Sequence, residues 1–462
     1  MKRSKWIGLA TAITAAVVIV ALPTPASLMP SAQAILAASV FTIILWFFQV
    51  VNNGIASILM MGLMIVMGVS PQLALSGYSS PQFWILVCVL YYGCVMHHTG
   101  LAQRLSYYVL SLFPVTYNGI LASFFVIGLV LAFGVPSMTV RTAIMVPIAW
   151  ALVKSLEIPP RSRGSALIIL TAVQMAVIPG LAVLYGSLFG PFVESVFHSR
   201  GFSLGWMEYA KVMTVPTLVL CGLILLVNPL VLKPEKKIAT SHLFARERLK
   251  SLGVITRGEW ITAAVVALSI LYWATDRVHG MPSFLVGMFG MSVFALAGIL
   301  RDEDIGAGVS WTLLLFIGGI FGLSNIIQEY RITDWLAGYF MPVAETFSSN
   351  ELVFLVMMAV VFLLLRFFDP TGFIIIPVLF LPVSSLVTLS GIPPLVLAAP
   401  LLLATSPFWL SYQNFWIAMG EGMTANQAFT AGQRTRLANV YGAMVPVTLV
   451  VSFGYWKLIG LL

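Results

Sequence analysis

The chain has 462 residues, of which 60% are hydrophobic and only 9% charged, and its mean hydropathy is +1.00. A soluble chain needs roughly a quarter of its residues charged to cover its surface, so this composition excludes a soluble enzyme, a disordered chain and a nucleic-acid-binding protein. The net charge is +8, and Cys88, Cys94 and Cys221 lie within apolar runs, which excludes a disulfide framework and a zinc-ligand spacing. The composition predicts an all-α polytopic membrane protein.

Apolar runs recur along the chain at about 17–25 residues, the length that crosses the hydrocarbon core as a helix. They lie near residues 6–22, 34–51, 54–71, 82–98, 164–188, 207–232, 259–275, 282–299, 310–328, 394–418 and 437–461. Two longer apolar stretches, 118–154 and 351–389, are interrupted in the middle. Each is predicted to form a re-entrant hairpin of two half-length helices, in addition to about eleven transmembrane helices.

The basic residues of the chain predict its orientation in the cytoplasmic membrane. Lys2, Arg3 and Lys5 precede a long apolar run without a tight cleavage site, so residues 1–33 are predicted to be a retained signal anchor with its connection, and the N-terminus cytoplasmic. Six predicted crossings later, segment 233–257 carries seven Lys or Arg residues against two Glu. This basic loop therefore belongs in the cytoplasm, and much of the net charge is a topology signal, with membrane lipid a secondary partner.

The chain carries an internal repeat, predicted to span residues 34–232 and 258–462. Segments match at an offset of 230 or 231: Pro136 to Pro147 with Arg366 to Pro377, and Leu101 to Leu105 with Ile332 to Leu336. An odd number of crossings in each half inverts the second copy relative to the first. Secondary transporters built from inverted repeats bind substrate near the membrane midplane, between broken helices.

Polar breaks interrupt several of the apolar runs. They are the first hairpin tip, Val135 to Thr139, and the breaks at Ile178-Pro179-Gly180 and Ala404-Thr405-Ser406-Pro407. Irregular backbone at membrane depth is tolerated only where it is buried or lines a cavity. Freed carbonyls and hydroxyls can hold a sodium ion, and helix N-termini attract a carboxylate or sulfate. The alternative is a plain proline kink packed on a neighbouring helix.

Three charged residues, Arg141, Arg366 and Asp369, lie inside the hairpins and away from their ends, where an ionised group is costly unless it is paired or hydrated. Arg141 either grips an anionic substrate with its planar guanidinium or pairs with Asp369 across the repeat axis. Asp369 can also exchange a proton or hold a cation, and Thr371 takes the repeat position of Arg141. Arg366 is predicted to snorkel to an interface rather than to bind a ligand.

His97 and His98 invite a metal interpretation, but adjacent histidines on a helix point in different directions. No metal-binding motif or carboxylate cluster accompanies them in the sequence. We therefore expect an interfacial position at the end of a span, and no metal site.

Several short segments resemble the divalent anion/sodium symporter family, which carries dicarboxylates, tricarboxylates or sulfate. They are Leu45-Trp46, Ser79 to Trp84, Thr99 to Arg104, Arg161 to Gly164 and Trp311 to Gly319, and the likeness covers nearly the whole length. The resemblance implies a cytoplasmic N-terminus, eleven spans, two opposed hairpins, a homodimer and elevator-type movement of a transport domain.

The chain departs from the family signature at both hairpins. Met138 stands where the family has an asparagine that binds sodium and substrate, and Phe367-Phe368-Asp369 stands where a second Ser-Asn-Thr is expected. After the second break, Thr405 to Phe408 replaces a Thr-Pro-Pro-Asn sequence, which loses another asparagine. Because aromatic side chains cannot chelate sodium, we expect reduced dependence on sodium, with Arg141 supplying positive charge.

The predicted function is secondary active transport of small organic anions, with di- or tricarboxylates favoured over sulfate and no enzymatic activity. The candidate substrate-binding residues are Ser137, Thr139, Arg141, Thr371, Thr405 and Ser406. The residues predicted to bind a cation or balance charge are Ser137, Met138, Gly180 and Asp369. A sodium ion or proton is the expected coupling ion, with no other cofactor. The alternatives are a related permease or antiporter for sulfate, arsenite or sodium and protons, a membrane-embedded enzyme, and a passive channel.

Overall fold

The computed structural model of the chain describes residues 3–25, 28–135, 137–199, 201–235, 238, 243–332, 335, 338, 350–367, 392–410 and 413–462. Within these residues all regular structure is helical. Several sequence predictions lie outside the described residues: those at Asp369 and Thr371, most of the second hairpin, Pro136 at the first tip, and part of the segment matched to Leu101–Leu105.

The helices of nine or more residues are numbered in chain order over the part of the chain that is described. They are α1 (Arg3–Ala21), α2 (Pro30–Phe47), α3 (Asn53–Val66), α4 (Pro81–His98), α5 (Leu101–Leu112), α6 (Tyr117–Gly134), α7 (Met138–Ser155), α8 (Arg163–Val177), α9 (Phe189–Ser199), α10 (Trp206–Val231), α11 (Leu243–Ser251), α12 (Arg257–Ala274), α13 (Ser283–Leu296), α14 (Trp311–Glu329), α15 (Glu351–Leu365), α16 (Pro394–Leu403), α17 (Phe415–Met423) and α18 (Ala431–Leu458).

Helix starts follow the capping residues of the sequence. A Ser, Thr or Asn side chain before the first turn accepts a hydrogen bond from a free backbone N–H, which stabilises the helix by about 1 kcal/mol. The residues that do so include Ser80, Thr116, Ser137, Ser162, Thr256, Ser310, Asn350, Asn414 and Thr430. These caps place the boundaries of most of the long helices.

Seven described helices are long and apolar enough to cross a membrane, within Ser4–Ala21, Pro30–Phe47, Tyr117–Gly134, Arg163–Ala182, Trp206–Val231, Trp311–Glu329 and Ala431–Leu458. The pair α4 and α5 qualifies as an eighth, bent by 67°. Gly100 joins this pair with a φ of 81°, a left-handed conformation that favours glycine.

Two predicted spans, near 54–71 and 282–299, are shorter in the structure. The helices α3 and α13 have 14 residues each, about 21 Å of rise against a hydrocarbon core of about 30 Å. Gly68 and Gly298 follow them with φ angles of 94° and 69°, which ends each helix at a glycine. Eleven full-length crossings therefore remain a prediction.

The same order of elements occurs twice along the chain. In the first half α8 is followed by a 3₁₀ helix at Ile178–Ala182, then α9 and the long α10. In the second half α16 is followed by non-helical residues, then α17 and the long α18. The two long helices α10 and α18 pack against each other. This recurrence supports the internal repeat, whose inversion remains a prediction.

The basic loop is joined to the helical bundle by two acidic residues. The Glu235 carboxylate accepts hydrogen bonds from the backbone N–H groups of Arg163 and Gly164 and from the Arg163 side chain. Partial burial acts to raise the pKa of Glu235, but these hydrogen bonds outweigh it and hold that pKa below its ordinary value.

The second attachment is a buried ion pair between α5 and α12. Arg104 Nε lies 2.6 Å from Glu259 Oε1, and Glu259 is only 2% exposed. The remaining donors of Arg104 reach the backbone carbonyls of Leu252 at 3.1 Å and Gly253 at 2.9 Å. One guanidinium thus ties α5, α12 and the end of the basic loop together.

Replacing this guanidinium is expected to destabilise the protein. Arg104→Met leaves the Glu259 carboxylate buried and uncompensated, which costs about 3–5 kcal/mol. Arg301→Met is the matched control, because Arg301 forms a 3.8 Å pair with the exposed Glu303, an arrangement that contributes about 0–1 kcal/mol. Thermal unfolding of the purified protein in detergent measures the stability of both variants. Equal apparent melting temperatures would contradict a stabilising role for the ion pair between Arg104 and Glu259.

Candidate functional site

The first break in the helical structure is the tip between α6 and α7. Ser137 is the N-cap of α7, and its Oγ accepts a hydrogen bond from the Val140 N–H at 3.3 Å. Ser137 and Met138 are buried, with 8% and 1% exposure. Thr139 is exposed, and its hydroxyl forms no hydrogen bond with the described residues. The tip therefore presents the exposed hydroxyl of Thr139 next to the buried N-terminus of α7.

Arg141 lies behind this tip and is completely buried. Its Nη1 donates to the carbonyl oxygens of Val135 at 2.6 Å and Gly186 at 2.7 Å, and its Nε donates to Ala176 O at 2.6 Å. Each acceptor belongs to a helix end or to the break in the fifth span. The guanidinium thus occupies the point where carbonyl oxygens of the tip and of the broken span converge.

Gly180 makes room for this arrangement. A Cβ added there would collide with the guanidinium of Arg141 and with the carbonyl oxygen of Gly186. The residue was predicted to help bind a cation through freed backbone. The structure places it against a side-chain cation, with which it is in close contact.

Arg366 corrects one expectation from the sequence, because it does not snorkel to an interface. The side chain is 1% exposed; its Nε donates to Thr405 O at 3.1 Å and its Nη2 donates to the Gln413 carbonyl oxygen. The prediction was wrong because the break after α16 exposes backbone carbonyls inside the bundle. A guanidinium with five N–H donors can satisfy several such carbonyls at once.

Thr405 and Ser406 lie at this second break, as predicted, and both are buried. Thr405 Oγ1 donates to Leu402 O at 2.9 Å and lies 3.3 Å from Ser406 Oγ. The Ser406 N–H donates to the Tyr441 hydroxyl at 3.0 Å, and Asn414 Nδ2 donates to Ser406 O at 3.3 Å. The break is therefore held open by side chains rather than by a continuing helix.

Sequence reasoning missed the polar supports of this second break, Gln413, Asn414 and Tyr441. Asn414 also caps α17, accepting from the backbone N–H groups of Trp416 and Ile417 at 3.1 Å. A Gln-Asn pair only a few residues beyond Pro407 within an apolar run was the available signal.

Helices of the two halves meet around the breaks. The 3₁₀ helix Ile178–Ala182 contacts α16, while α17 packs against both α7 and α8. Both arms of the first hairpin, α6 and α7, also pack on α8. The tertiary structure thus assembles the first tip, its facing break and the second break into one region.

A cavity of about 390 Å³ runs along one face of α7. Its lining residues are His97, Gln103, Tyr107, Ala143, Ile144, Pro147, Ile148, Ala151 and Arg248. Thr139 precedes Ala143 by four residues, so it lies on the face of α7 that the cavity follows. A larger cavity of about 890 Å³ between α6 and α10 is lined by no residue of either break. Of the two cavities, the smaller and partly basic one is therefore the better candidate for the path by which substrate would reach the first tip.

A buried carboxylate, Glu194, also escaped the sequence reasoning. Its Oε2 is buried and has no hydrogen-bond partner among the described residues, while the side chains of Tyr185 and Gln82 interact with the carboxyl group. The signal was an acidic residue among the apolar residues of α9. A carboxyl in this setting can carry a proton.

Adding a methyl group at Gly180 is expected to lower stability. Gly180→Ala must displace the Arg141 guanidinium from its carbonyl partners, an overpacking that costs about 1–3 kcal/mol. Gly222→Ala in α10 is the control, because nothing lies within 4 Å of its added Cβ. The apparent melting temperature should fall for Gly180→Ala only, and an unchanged value would refute the tight contact with Arg141.

Comparisons with known proteins place the chain among transporters. It is 24% identical over 403 residues to the chloroplastic dicarboxylate transporter 1 of Spinacia oleracea, an alignment that covers 84% of this chain and 70% of that protein. It is 28% identical over 350 residues to the inner membrane protein YbhI of Escherichia coli, covering 72% and 71%.

The fold is also similar to that of a solved transporter, YdaH of Alcanivorax borkumensis. The TM-score is 0.60 at 14% sequence identity, with 86% of this chain and 89% of that chain covered. Residues 3–462 match the family described as the sodium:sulfate symporter transmembrane region. The resemblance to the divalent anion/sodium symporters is thereby confirmed, and the chain belongs to this family of membrane transporters, not to an enzyme family.

Proposed function

We propose that the protein is a secondary active transporter of small dicarboxylates in which two buried arginines take the place of bound cations. The observation that carries this proposal is the position of Arg141 and Arg366. Each guanidinium is buried against backbone carbonyl oxygens of a broken span, one in each half of the chain.

The charge balance of this arrangement fits a dianion. A dicarboxylate carries two negative charges near neutral pH, and two guanidinium groups supply two positive charges. Freed carbonyls can hold sodium, but those beside Arg141 already accept its N–H donors. A sodium ion about 4 Å from a guanidinium would be repelled by about 4 kcal/mol at an effective dielectric constant of 20. Sodium coupling is therefore weakened.

Substrate contacts are proposed at the hydroxyl groups of both breaks. Thr139 offers an exposed hydroxyl at the first tip, with Ser137 beside it. Thr405 and Ser406 provide hydroxyls at the second break, and Thr371 completes the proposed substrate set from outside the described residues. Asp369, also outside them, is proposed to hold a cation or balance charge rather than to contact the substrate. Dicarboxylates are favoured because the named transport substrate of relatives such as the Spinacia oleracea protein is a dicarboxylate.

The movement is proposed to be of elevator type, within a homodimer whose N-terminus is cytoplasmic. The cavity along the face of α7 that carries Thr139 lies between α7 and the bent pair α4 and α5. This boundary separates the helices that surround the breaks, α7, α8, α16 and α17, from a second group of α4, α5 and α12. Within the second group Arg104 ties α5 to α12. The first group would carry the substrate, while the second would stay fixed.

Uptake of a radiolabelled dicarboxylate into proteoliposomes tests the assignment. We expect uptake to persist when external sodium is replaced by choline, and to be stimulated by unlabelled dicarboxylate inside the vesicles. An absolute requirement for a sodium gradient would refute the weakened coupling. Uptake of sulfate with no dicarboxylate transport would instead support the substrate in the family description.

Removing the guanidinium of Arg141 is expected to make the remaining transport dependent on sodium. Arg141→Ala should lower uptake by about tenfold or more, the equivalent of at least about 1.4 kcal/mol. Its residual uptake should be stimulated by sodium, because the vacated carbonyls can then hold that ion. Lys154→Gln, at the exposed far end of α7, should behave as the parent protein. Near-normal, sodium-insensitive uptake by Arg141→Ala would rule out the charge-replacement role.

A proton-coupled carrier is the second candidate, and Glu194 is the observation that favours it. Its carboxyl group is near the Tyr185 hydroxyl of the first broken span and near Gln82 of α4. Glu194→Gln should then abolish any stimulation of uptake by an inward proton gradient without abolishing exchange of dicarboxylates. Stimulation that survives this substitution would exclude Glu194 as the proton carrier.

A further inference from the structure

Three metal-ligating side chains meet where α4 ends. Cys94 Sγ lies 3.8 Å from His98 Nδ1, which lies 3.2 Å from Asp304 Oδ1. All three groups offer ligand atoms within 4.8 Å of one another. Asp304 belongs to a short helix, Asp302–Ala307, that is more than two hundred residues away in the chain. From the sequence no metal site is expected at His97 and His98, for want of a carboxylate, and only the tertiary structure brings Asp304 to His98.

The backbone holds these ligands before any ion arrives. Cys94 and His98 are four residues apart and so lie on one face of α4. Asp304 Oδ2 accepts the Arg301 N–H at 2.9 Å, which orients the carboxylate while Oδ1 points to His98. The Tyr91 hydroxyl donates to Ile305 O at 2.6 Å and ties the short helix to α4. The three ligands are therefore preorganised.

The cluster is also open to the surface of the protein. The side chain of His98 is 42% exposed and that of Asp304 is 13% exposed, whereas Cys94 is buried. Gly308 packs over the sulfur, and an added Cβ there would lie 2.7 Å from Cys94 Sγ. Any side chain larger than that of glycine at position 308 would therefore crowd the Cys94 thiol.

We propose that Cys94, His98 and Asp304 form a binding site for a divalent transition metal of the zinc type. Zinc takes thiolate, imidazole and carboxylate ligands at about 2.0–2.3 Å in tetrahedral geometry. That geometry sets neighbouring ligand atoms about 3.2–3.8 Å apart. Two of the three pairs lie at such distances, 3.8 Å and 3.2 Å, and all three atoms lie within 4.8 Å of one another. Water would fill the fourth position. Binding removes the proton of the Cys94 thiol to solvent, and no oxidation or reduction takes place.

The position of the site suggests what a bound metal would do. Gly93, the residue before Cys94, faces the first hairpin tip, with its ideal Cβ 3.5 Å from Val135 and 3.7 Å from Ser137. A metal that joins α4 to the Asp302–Ala307 helix would stiffen the surface along which the tip must move. We therefore expect the metal to inhibit uptake, and this effect, unlike the binding itself, rests on the proposed function.

A plain ion pair between His98 and Asp304, with Cys94 as a packed thiol, is the simpler arrangement. It predicts no metal affinity and no role for the sulfur. Spectroscopy with cobalt separates the two, because a Co²⁺ thiolate gives a sulfur-to-metal charge-transfer absorption and tetrahedral coordination gives intense d–d bands.

The test is a Co²⁺ titration of the purified full-length protein, followed by competition with Zn²⁺. We expect one Co²⁺ per chain, with both absorptions, displaced by Zn²⁺. Cys94→Ser should abolish the charge-transfer band, and Asp304→Asn should weaken binding by about 100-fold or more. Cys88→Ser and His97→Ala, which replace residues outside the cluster, should leave both absorptions unchanged. Absence of the bands, or their persistence in Cys94→Ser, would overturn the site.

The functional consequence is measured separately in proteoliposomes. Micromolar Zn²⁺ should slow dicarboxylate uptake by the parent protein and should have no effect on the Cys94→Ser variant. If the metal binds but uptake is unchanged, the site stands and the inhibition is refuted. If no dicarboxylate is transported at all, the proposed function fails while the cobalt titration still decides the site.

Discussion

The constraint on which the rest of the structure depends is the hydrogen bonding of interrupted backbone inside an apolar bundle. A carbonyl without a partner costs several kcal/mol where no water is present, so a broken helix needs donors from elsewhere. Arg141 satisfies carbonyls of three separate segments, and Arg366 satisfies those of Thr405 and Gln413 at the second break. The need for these donors explains why two ionised groups are buried and why Gly180 has no side chain.

A fixed guanidinium differs from a bound ion in what it couples. A sodium ion that binds with the substrate links transport to the sodium gradient, whereas an arginine travels with the protein and returns with it. A fixed positive charge therefore favours exchange of one anion for another, because returning empty would leave the charge uncompensated at membrane depth. The departures from the family signature at Met138 and at Phe367 are the sequence features that motivate the proposed weakening of sodium coupling.

The polar contacts outside the breaks divide the helices by their role. Arg104 and Glu259 tie α5 to α12 and to the basic loop, and Tyr91 ties α4 to the helix that carries Asp304. The cavity beside α7 lies against this tied part. Tied helices on one side of the cavity and irregular backbone on the other are the features from which the elevator movement is proposed.

The sequence by itself determined the helical membrane class, the family and the positions of the breaks, because apolar run length, prolines and capping residues act locally. It also singled out Arg141, Thr405 and Ser406 as site candidates. Only the tertiary structure decided what those residues touch: Arg366 is buried rather than interfacial, Gly180 faces a guanidinium, and Cys94 and His98 meet Asp304. These outcomes depend on contacts between segments far apart in the chain, and no local pattern of residues encodes which carbonyl or carboxylate will come within reach.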